Sequence, residues 1–286
     1  MATNAGNFDN PLILAIETSG RLGSVALAQG DKLLAESRFS GPTRPGVGGV
    51  DTKEVIDTPT ISSAIEKLKT PGRSQMRHSA EIFPAITELL NKFSKKPDQI
   101  EHVYISVGPG SFTGLRIAVT LAKTLALANN SKIVAVDTLD VIAANVIDFA
   151  PPSPLPQLNT QNSKLKTDDR LAVILDAKRG QFFIAVYEKT QGPGWKKIFP
   201  DCLMAAEEFL ARFTDKPIIL IGEGLVFYKD KFAHKNIRVH DEKFWNPSAA
   251  NVHKLGRWLA KKGQFADPLT LTPNYIRGPD AIVKQR

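Results

Sequence analysis

Val103-Tyr-Ile-Ser-Val-Gly-Pro-Gly-Ser-Phe-Thr-Gly-Leu-Arg-Ile-Ala-Val-Thr-Leu-Ala-Lys-Thr-Leu-Ala-Leu-Ala128 is the stretch from which the rest of the chain can be read. Val103 to Val107 is a short β-branched and aromatic run, Gly108, Pro109 and Gly110 break it, and Ser111 or Thr113 can cap the helix that follows. A strand, a glycine loop and a helix in that order aim backbone N–H groups and the positive end of the helix dipole at whatever lies above them. The default reading is an anion seat made by Gly108, Gly110, Ser111, Thr113 and Gly114. The helix itself is unusual. From Leu115 to Ala128 nearly every position is apolar or small, and the only charges, Arg116 and Lys123, are seven residues apart and so on one side. Gly114, Ala118, Ala122 and Ala126 repeat at four-residue spacing, a smooth stripe that another backbone can approach closely. So much apolar surface asks for a second cover, either a helix of the same chain or a partner molecule.

Upstream, Leu12 to Thr18, Gly23 to Ala28 and Lys32 to Phe39 read as a three-stranded meander with turns at Ser19-Gly20 and Gly30-Asp31. Residues 41 to 60 hold Gly-Pro, Pro-Gly and Gly-Gly steps and read as an irregular excursion, with a short helix from Ile61 to Lys69. From Ser79 the helical period returns, with Ile82, Ile86, Leu89, Leu90 and Phe93 on one face. Pro84 lies inside this helix, which therefore starts late or kinks. Downstream come a buried strand, Ile133 to Val136, a helix from Leu139 to Ile147, and a polar run from 153 to 169 that reads as a surface loop. The second half opens like the first, with a hairpin of Leu171 to Asp176 and Gln181 to Glu188 around Lys178-Arg179-Gly180. A strand near Lys197, a helix from Ala205 to Phe213, the strand Pro217 to Ile221, a strand near Arg238 and a helix from Ser248 to Lys262 complete it.

At 286 residues the chain is long enough for two lobes. Its hydrophobic fraction of 42% is that of an ordinary globular protein. The single cysteine, Cys202, rules out an internal disulfide, and no Cys/His cluster suggests zinc, so the expectation is a reducing compartment and no metal. The start of the chain lacks a basic leader and no apolar run is long enough to span a bilayer, which points to the cytoplasm and away from membranes. A net charge of +8 permits contact with RNA or an acidic protein, but the basic residues are scattered and no aromatic residues interleave them.

Three chemical readings compete for the glycine loop. Gly108, Gly110 and Gly114 with Asp137 at the end of the next strand fit a dinucleotide site loosely, but such a unit normally opens its domain. A P-loop fails because Leu115 stands where the lysine belongs. The third reading joins this loop to Ile16-Glu-Thr-Ser-Gly-Arg-Leu-Gly-Ser-Val-Ala-Leu27, to His78-Ser-Ala-Glu-Ile-Phe-Pro84, to Asp176-Ala-Lys-Arg-Gly-Gln-Phe182 and to Pro273-Asn-Tyr-Ile-Arg-Gly-Pro-Asp-Ala281. Together these resemble the TsaB (YeaZ) family of the actin/sugar-kinase/Hsp70-like ATPase superfamily, in family order and across most of the chain.

That resemblance implies an α/β chain of two RNase H-like, actin-like lobes with mixed sheets flanked by helices. The lobes would be residues 1–136, with an insert at 41–77 that the family usually lacks, and residues 137–286 with the C-terminal tail. The family supplies a non-catalytic dimerisation or scaffold subunit of the machinery that places a threonylcarbamoyl group on N6 of adenosine 37 in tRNAs reading ANN codons. Its partners are TsaD, which performs the transfer, and TsaE, with tRNA reached through the complex and a homodimer as the form taken alone.

The residues fit a site without chemistry. Where the superfamily's phosphate hairpin has Asp-x-Gly, this chain has Glu17-Thr18-Ser19, and Thr138 and Ile142 stand where catalytic relatives carry a metal-binding histidine pair. No cofactor is expected to be bound tightly, although a nucleotide at the partner interface is compatible with the resemblance. The partner surface carried over from the family lies on two helices, 78–93 and 112–128. Its residues are His78, Ile82, Pro84, Ile86, Gly114, Leu115, Arg116, Ala118, Val119, Ala122 and Lys123. The alternative is an active ATP- or metal-dependent enzyme of the same superfamily, a small-molecule kinase or a peptidase.

Overall fold

Leu12–Glu17 (β1), Gly23–Gln29 (β2) and Lys32–Phe39 (β3) form the expected antiparallel meander. The computed structural model describes residues 10–39, 78–149, 170–191 and 194–277, with the side chains of 78–80 outside that description. The insert at 41–77 with its expected helix, the polar run 153–169 and the tail beyond 277 lie outside the described residues.

The helix His78–Lys92 (α1) starts ahead of Pro84 and runs through it. Pro84 is tolerated on the exposed side, while Ile82, Ala85, Ile86, Leu89 and Leu90 turn inward. His102–Gly108 (β4), Phe112–Asn129 (α2) and Lys132–Asp137 (β5) are the predicted strand, helix and strand. Ser111 caps α2 by accepting the Gly114 N–H, and Asn130 ends it in the left-handed conformation. Strand β4 pairs in parallel with both β1 and β5, giving the order β3-β2-β1-β4-β5.

Thr138–Ala143 (α3) is shorter than the predicted helix and gives way to tight turns, with Val146 and Ile147 still buried. The second sheet is made of Arg170–Asp176 (β6), Gln181–Lys189 (β7), Trp195–Ala205 (β8), Ile218–Ile221 (β9) and Ile237–Val239 (β10). Its helices are Ala206–Phe213 (α4) and the single turn Leu225–Tyr228 (α5). Its order, β8-β7-β6-β9-β10, repeats that of the first sheet: two antiparallel neighbours on one side of the leading strand and two parallel ones on the other. This duplication is the strand order of the two-lobed fold expected from the sequence.

The last helix, Ala249–Lys261 (α6), belongs by position to residues 137–286 but packs on the first sheet. Alternation decides which side chains it meets. Ile13, Ala15, Tyr104, Val134 and Val136 face α6, whereas Leu14, Ile16, Val103, Ile105 and Ile133 face α1 and α2. A Cβ on Gly256 would lie 2.6 Å from the Tyr104 ring, so glycine there lets α6 settle directly onto the sheet. Its first turn donates the Ala249 N–H to Ser24 Oγ, and Arg257 bonds Asp31 at 2.6 Å, tying the end of the chain to the opening meander.

Candidate functional site

The turn between β1 and β2 and the glycine loop after β4 are built against each other. A Cβ on Gly114 would fall 1.8 Å from the Thr18 carbonyl oxygen, and one on Gly110 would fall 2.6 Å from that of Ser19. Both glycines are therefore required for close approach between this chain's own elements. Thr18 Oγ1 donates to the Gly114 carbonyl at 2.7 Å, and the Ser111 N–H donates to the Ser19 carbonyl at 2.7 Å. The Gly114 N–H is taken by Ser111 Oγ. Two amides of the anticipated anion seat thus serve internal bonds, while Thr113 is exposed. Gly108 has φ +117, a conformation that favours glycine, and lies against the carbonyl of Asn274.

Glu17 is wholly buried. One carboxyl oxygen accepts the Ser19 N–H at 2.6 Å and makes a short contact with the Ser19 hydroxyl. Burial pushes its pKa up against these favourable hydrogen bonds. Across the lobe boundary stands Glu223, between Gly222 and Gly224, a residue that no sequence motif singles out. Its carboxylate accepts the Arg21 N–H at 3.1 and 3.2 Å, and burial, reinforced by the charge of Glu17, pushes it up to about 7. Thr138 and Ile142 are both fully buried. Among the described residues no group of three or more His, Cys, Asp or Glu could hold a metal ion.

The second candidate is the pair α1 and α2, which cover one face of the first sheet. The structure turns most of the predicted partner residues into the chain's own core. Ile82, Leu115, Ala118 and Ala122 are at most 1% exposed, and Ile86, Val119 and Gly114 are also buried. The small-residue stripe is thus covered within the chain. Pro84 and Arg116 lie outward, Lys123 is half-buried, and the side chain of His78 lies outside the described residues. The outer faces carry Phe83, 58% exposed, Phe112, 44%, and Leu127, 76%. Periodicity contained the signal for them, since each lies off the apolar stripe of its helix.

The C-terminal segment crosses this region. Leu271 packs on the first-lobe core and Ile276 on the second. Between them the Asn274 N–H donates to the Val107 carbonyl at 2.7 Å. The Tyr275 ring lies tilted beside Phe112 at 5.1 Å and its hydroxyl accepts from Arg116 Nε at 3.1 Å, with the Arg116 guanidinium 3.7 Å above the Phe112 ring. Arg277 donates to the Ala177 carbonyl at 2.6 Å. The tail is a strap joining α2, the glycine loop and the β6–β7 turn.

Comparison with known proteins places this geometry. A family model described as TsaD, tRNA N6-adenosine threonylcarbamoyltransferase, matches residues 60–235. The tRNA threonylcarbamoyladenosine biosynthesis protein TsaB of Bacillus subtilis is 30% identical over 213 residues, 72% of this chain and 82% of that protein. The chain belongs to the TsaB family. A TsaB of Haemophilus influenzae is 21% identical over 78% of this chain and 92% of its own length. YeaZ from Pseudomonas aeruginosa shares the fold, with a TM-score of 0.63 at 18% identity, covering 93% of this chain and 99% of that one. In this TsaB-family chain no helix among the described residues is long and apolar enough to cross a membrane.

Proposed function

We propose that the chain acts in tRNA threonylcarbamoyladenosine biosynthesis as a non-catalytic subunit that binds TsaD, with TsaE and tRNA joining through the complex. The observation that carries this reading is the paired outer faces of α1 and α2, where Phe83, Phe112 and Leu127 stay exposed on helices whose inner faces are fully packed. Large apolar and aromatic side chains held out by rigid helices are the groups from which interface energy is drawn. Alone, the same faces serve a homodimer. The absence of chemistry in the subunit is supported by Glu17 closing on Ser19 and by Thr138 and Ile142 lying buried where a metal pair would stand. A nucleotide belongs, in this reading, at the boundary with TsaD.

Burial directs the test. A charge at Ala118 or Ala122 breaks the chain's own core and says nothing of a partner. Phe83→Asp and Leu127→Asp leave that core intact, so the double variant keeps its melting temperature and loses capture of TsaD by at least tenfold. Undiminished capture by a folded double variant would sink the interface. Full threonylcarbamoyl transfer by TsaD and TsaE without this chain would sink the subunit role, and ATP hydrolysis by the purified chain alone would favour the enzyme alternative.

A further inference from the structure

Where the two lobes join, one ammonium group faces three carboxylates. Lys197 Nζ donates to Asp201 Oδ1 at 2.6 Å and lies 2.8 Å from Asp140 Oδ1 and 3.6 Å from Asp137 Oδ2. Tyr187 donates its hydroxyl to the same Asp140 oxygen at 2.7 Å. Asp137 ends β5, Asp140 lies on α3, Tyr187 on β7, and Lys197 and Asp201 on β8. Two local features set this cluster up. Asp137 is the N-cap of α3, where an aspartate ordinarily accepts a helix N–H, yet its side chain makes no capping bond. In β8, Phe199 pairs with Val186 and Cys202 with Ile184, so Pro200 and Asp201 share the place opposite Ala185, a bulge of the kind that re-aims a side chain. From α4, which packs on β8, Glu208 and Arg212 act on the neighbouring Cys202.

The charges do not balance. With all three carboxyls ionised, Lys197 cancels one negative charge and two remain. Asp201 is the most enclosed of the three, its side chain 8% exposed against 26% for Asp140 and 42% for Asp137. Enclosure and like charges both favour keeping a proton. Burial pushes Asp201 up to about 6 against the attraction of Lys197, and the charges of Asp137 and Asp140 add to the push. The element held by the cluster is shared between the lobes: Leu139, Ile142 and Ala143 of α3 enter the second-lobe core, and Val141 enters the first.

We propose that this cluster is a proton-operated clasp on the lobe joint, holding α3 against β7 and β8 while Asp201 carries a proton and letting α3 open more often once Asp201 ionises. The clasp is a property of the folded chain and does not depend on the partner role. Opening of α3 carries Asp137 and Asp140 away, so Asp201 returns toward its ordinary value of 3.8. A carboxyl whose pKa is raised in the closed state contributes stability that is complete below the ordinary value and is lost as pH rises through the raised one. Between pH 5 and pH 8 the ratio of closed to open α3 therefore falls about tenfold.

The test compares the full-length chain with Asp201→Asn, which keeps the shape and removes the ionisation. Hydrogen exchange at the α3 amides, referred at each pH to the rate of an unstructured chain, gives the protection of that helix. Protection in the parent relative to the variant is expected to fall about tenfold from pH 5 to pH 8. Glu223 titrates in an overlapping range but is present in both proteins, so the comparison isolates Asp201. A ratio that stays constant across that range overturns the proposal. Carbon-13 titration of the Asp201 carboxyl in the parent is expected to give a midpoint near 6, and a midpoint at the ordinary 3.8 overturns the proposal even if the variant fails to fold.

Discussion

The turn after β1 and the turn after β6 occupy the same place in the repeated strand order, and they share one local device. In each, the carboxylate that ends the leading strand accepts the N–H two residues on, Ser19 for Glu17 and Lys178 for Asp176. Their surroundings are opposite. The first turn is pressed between α2, the glycine loop and the second lobe, with Glu17, Thr18 and Ser19 all buried. In the second turn, Lys178 pairs with Asp176 while its own side chain stays 66% exposed, and Arg277 of the strap reaches two of its carbonyls. Topology therefore repeats a turn, while the packing around it decides whether its carboxyl is wholly buried or is paired with a lysine that reaches solvent.

That contrast can be broken or sharpened by measurement. The largest expected effect is Gly114→Ala, whose new methyl meets the Thr18 carbonyl and costs about 3 kcal/mol of unfolding free energy by urea titration. Gly180→Ala in the second turn meets nothing within 4 Å, and its φ of +74 alone costs about 1 kcal/mol. Equal costs at the two glycines would contradict the asymmetry.

Next in size is the pH response of the confined carboxyls. A group whose folded pKa is raised contributes stability that is complete below its unfolded value and is lost as pH rises through the folded one. For Glu223 the window runs from about 4.5 to about 7, and Glu17 shifts in the same direction. Glu223→Gln keeps an acceptor for the Arg21 N–H and removes the ionisation. At pH 8 it should be more stable than the parent by up to about 3 kcal/mol, and the difference should vanish near pH 4. An unchanged pH profile of the melting temperature would mean that Glu223 is not confined.

Arg277→Ala withdraws the strap from the second turn and should cost about 1.5 kcal/mol, with faster hydrogen exchange at Asn274. Slow exchange retained there would show that the Val107 bond holds the strap unaided. The smallest effect belongs to Lys178→Ala, whose ion pair with Asp176 is open to solvent on the lysine side and is worth less than about 1 kcal/mol.

Much of the fold was legible because its signals are local. The alternation of Leu12 to Glu17 and Arg170 to Asp176, the helical spacing from Ile82 to Leu90 and the Ser111 cap each depend on neighbours within one or two turns of chain. The helix after Leu139 was overestimated because Val146 and Ile147 keep the apolar pattern while the backbone turns. At the candidate site the residues named from sequence as a partner surface lie on α1 and α2. Sequence alone could not show that Ala118 and Ala122 were already covered, because a stripe of small residues looks the same whether its cover is a sheet of the same chain or another molecule.

The sequence by itself determined the strands, the two long helices and the family, since backbone propensity, side-chain period and motif order are carried along the chain. Only the tertiary structure decided that α6 returns to the first sheet, that Tyr275 and Arg277 make the tail a strap, and that Glu223 takes the Arg21 N–H across the lobes. Some of those contacts join residues more than two hundred positions apart, as Arg21 and Glu223 or Asp31 and Arg257 do. Burial and a carboxyl's acidity are properties of such an assembled environment, set by what surrounds the group in space.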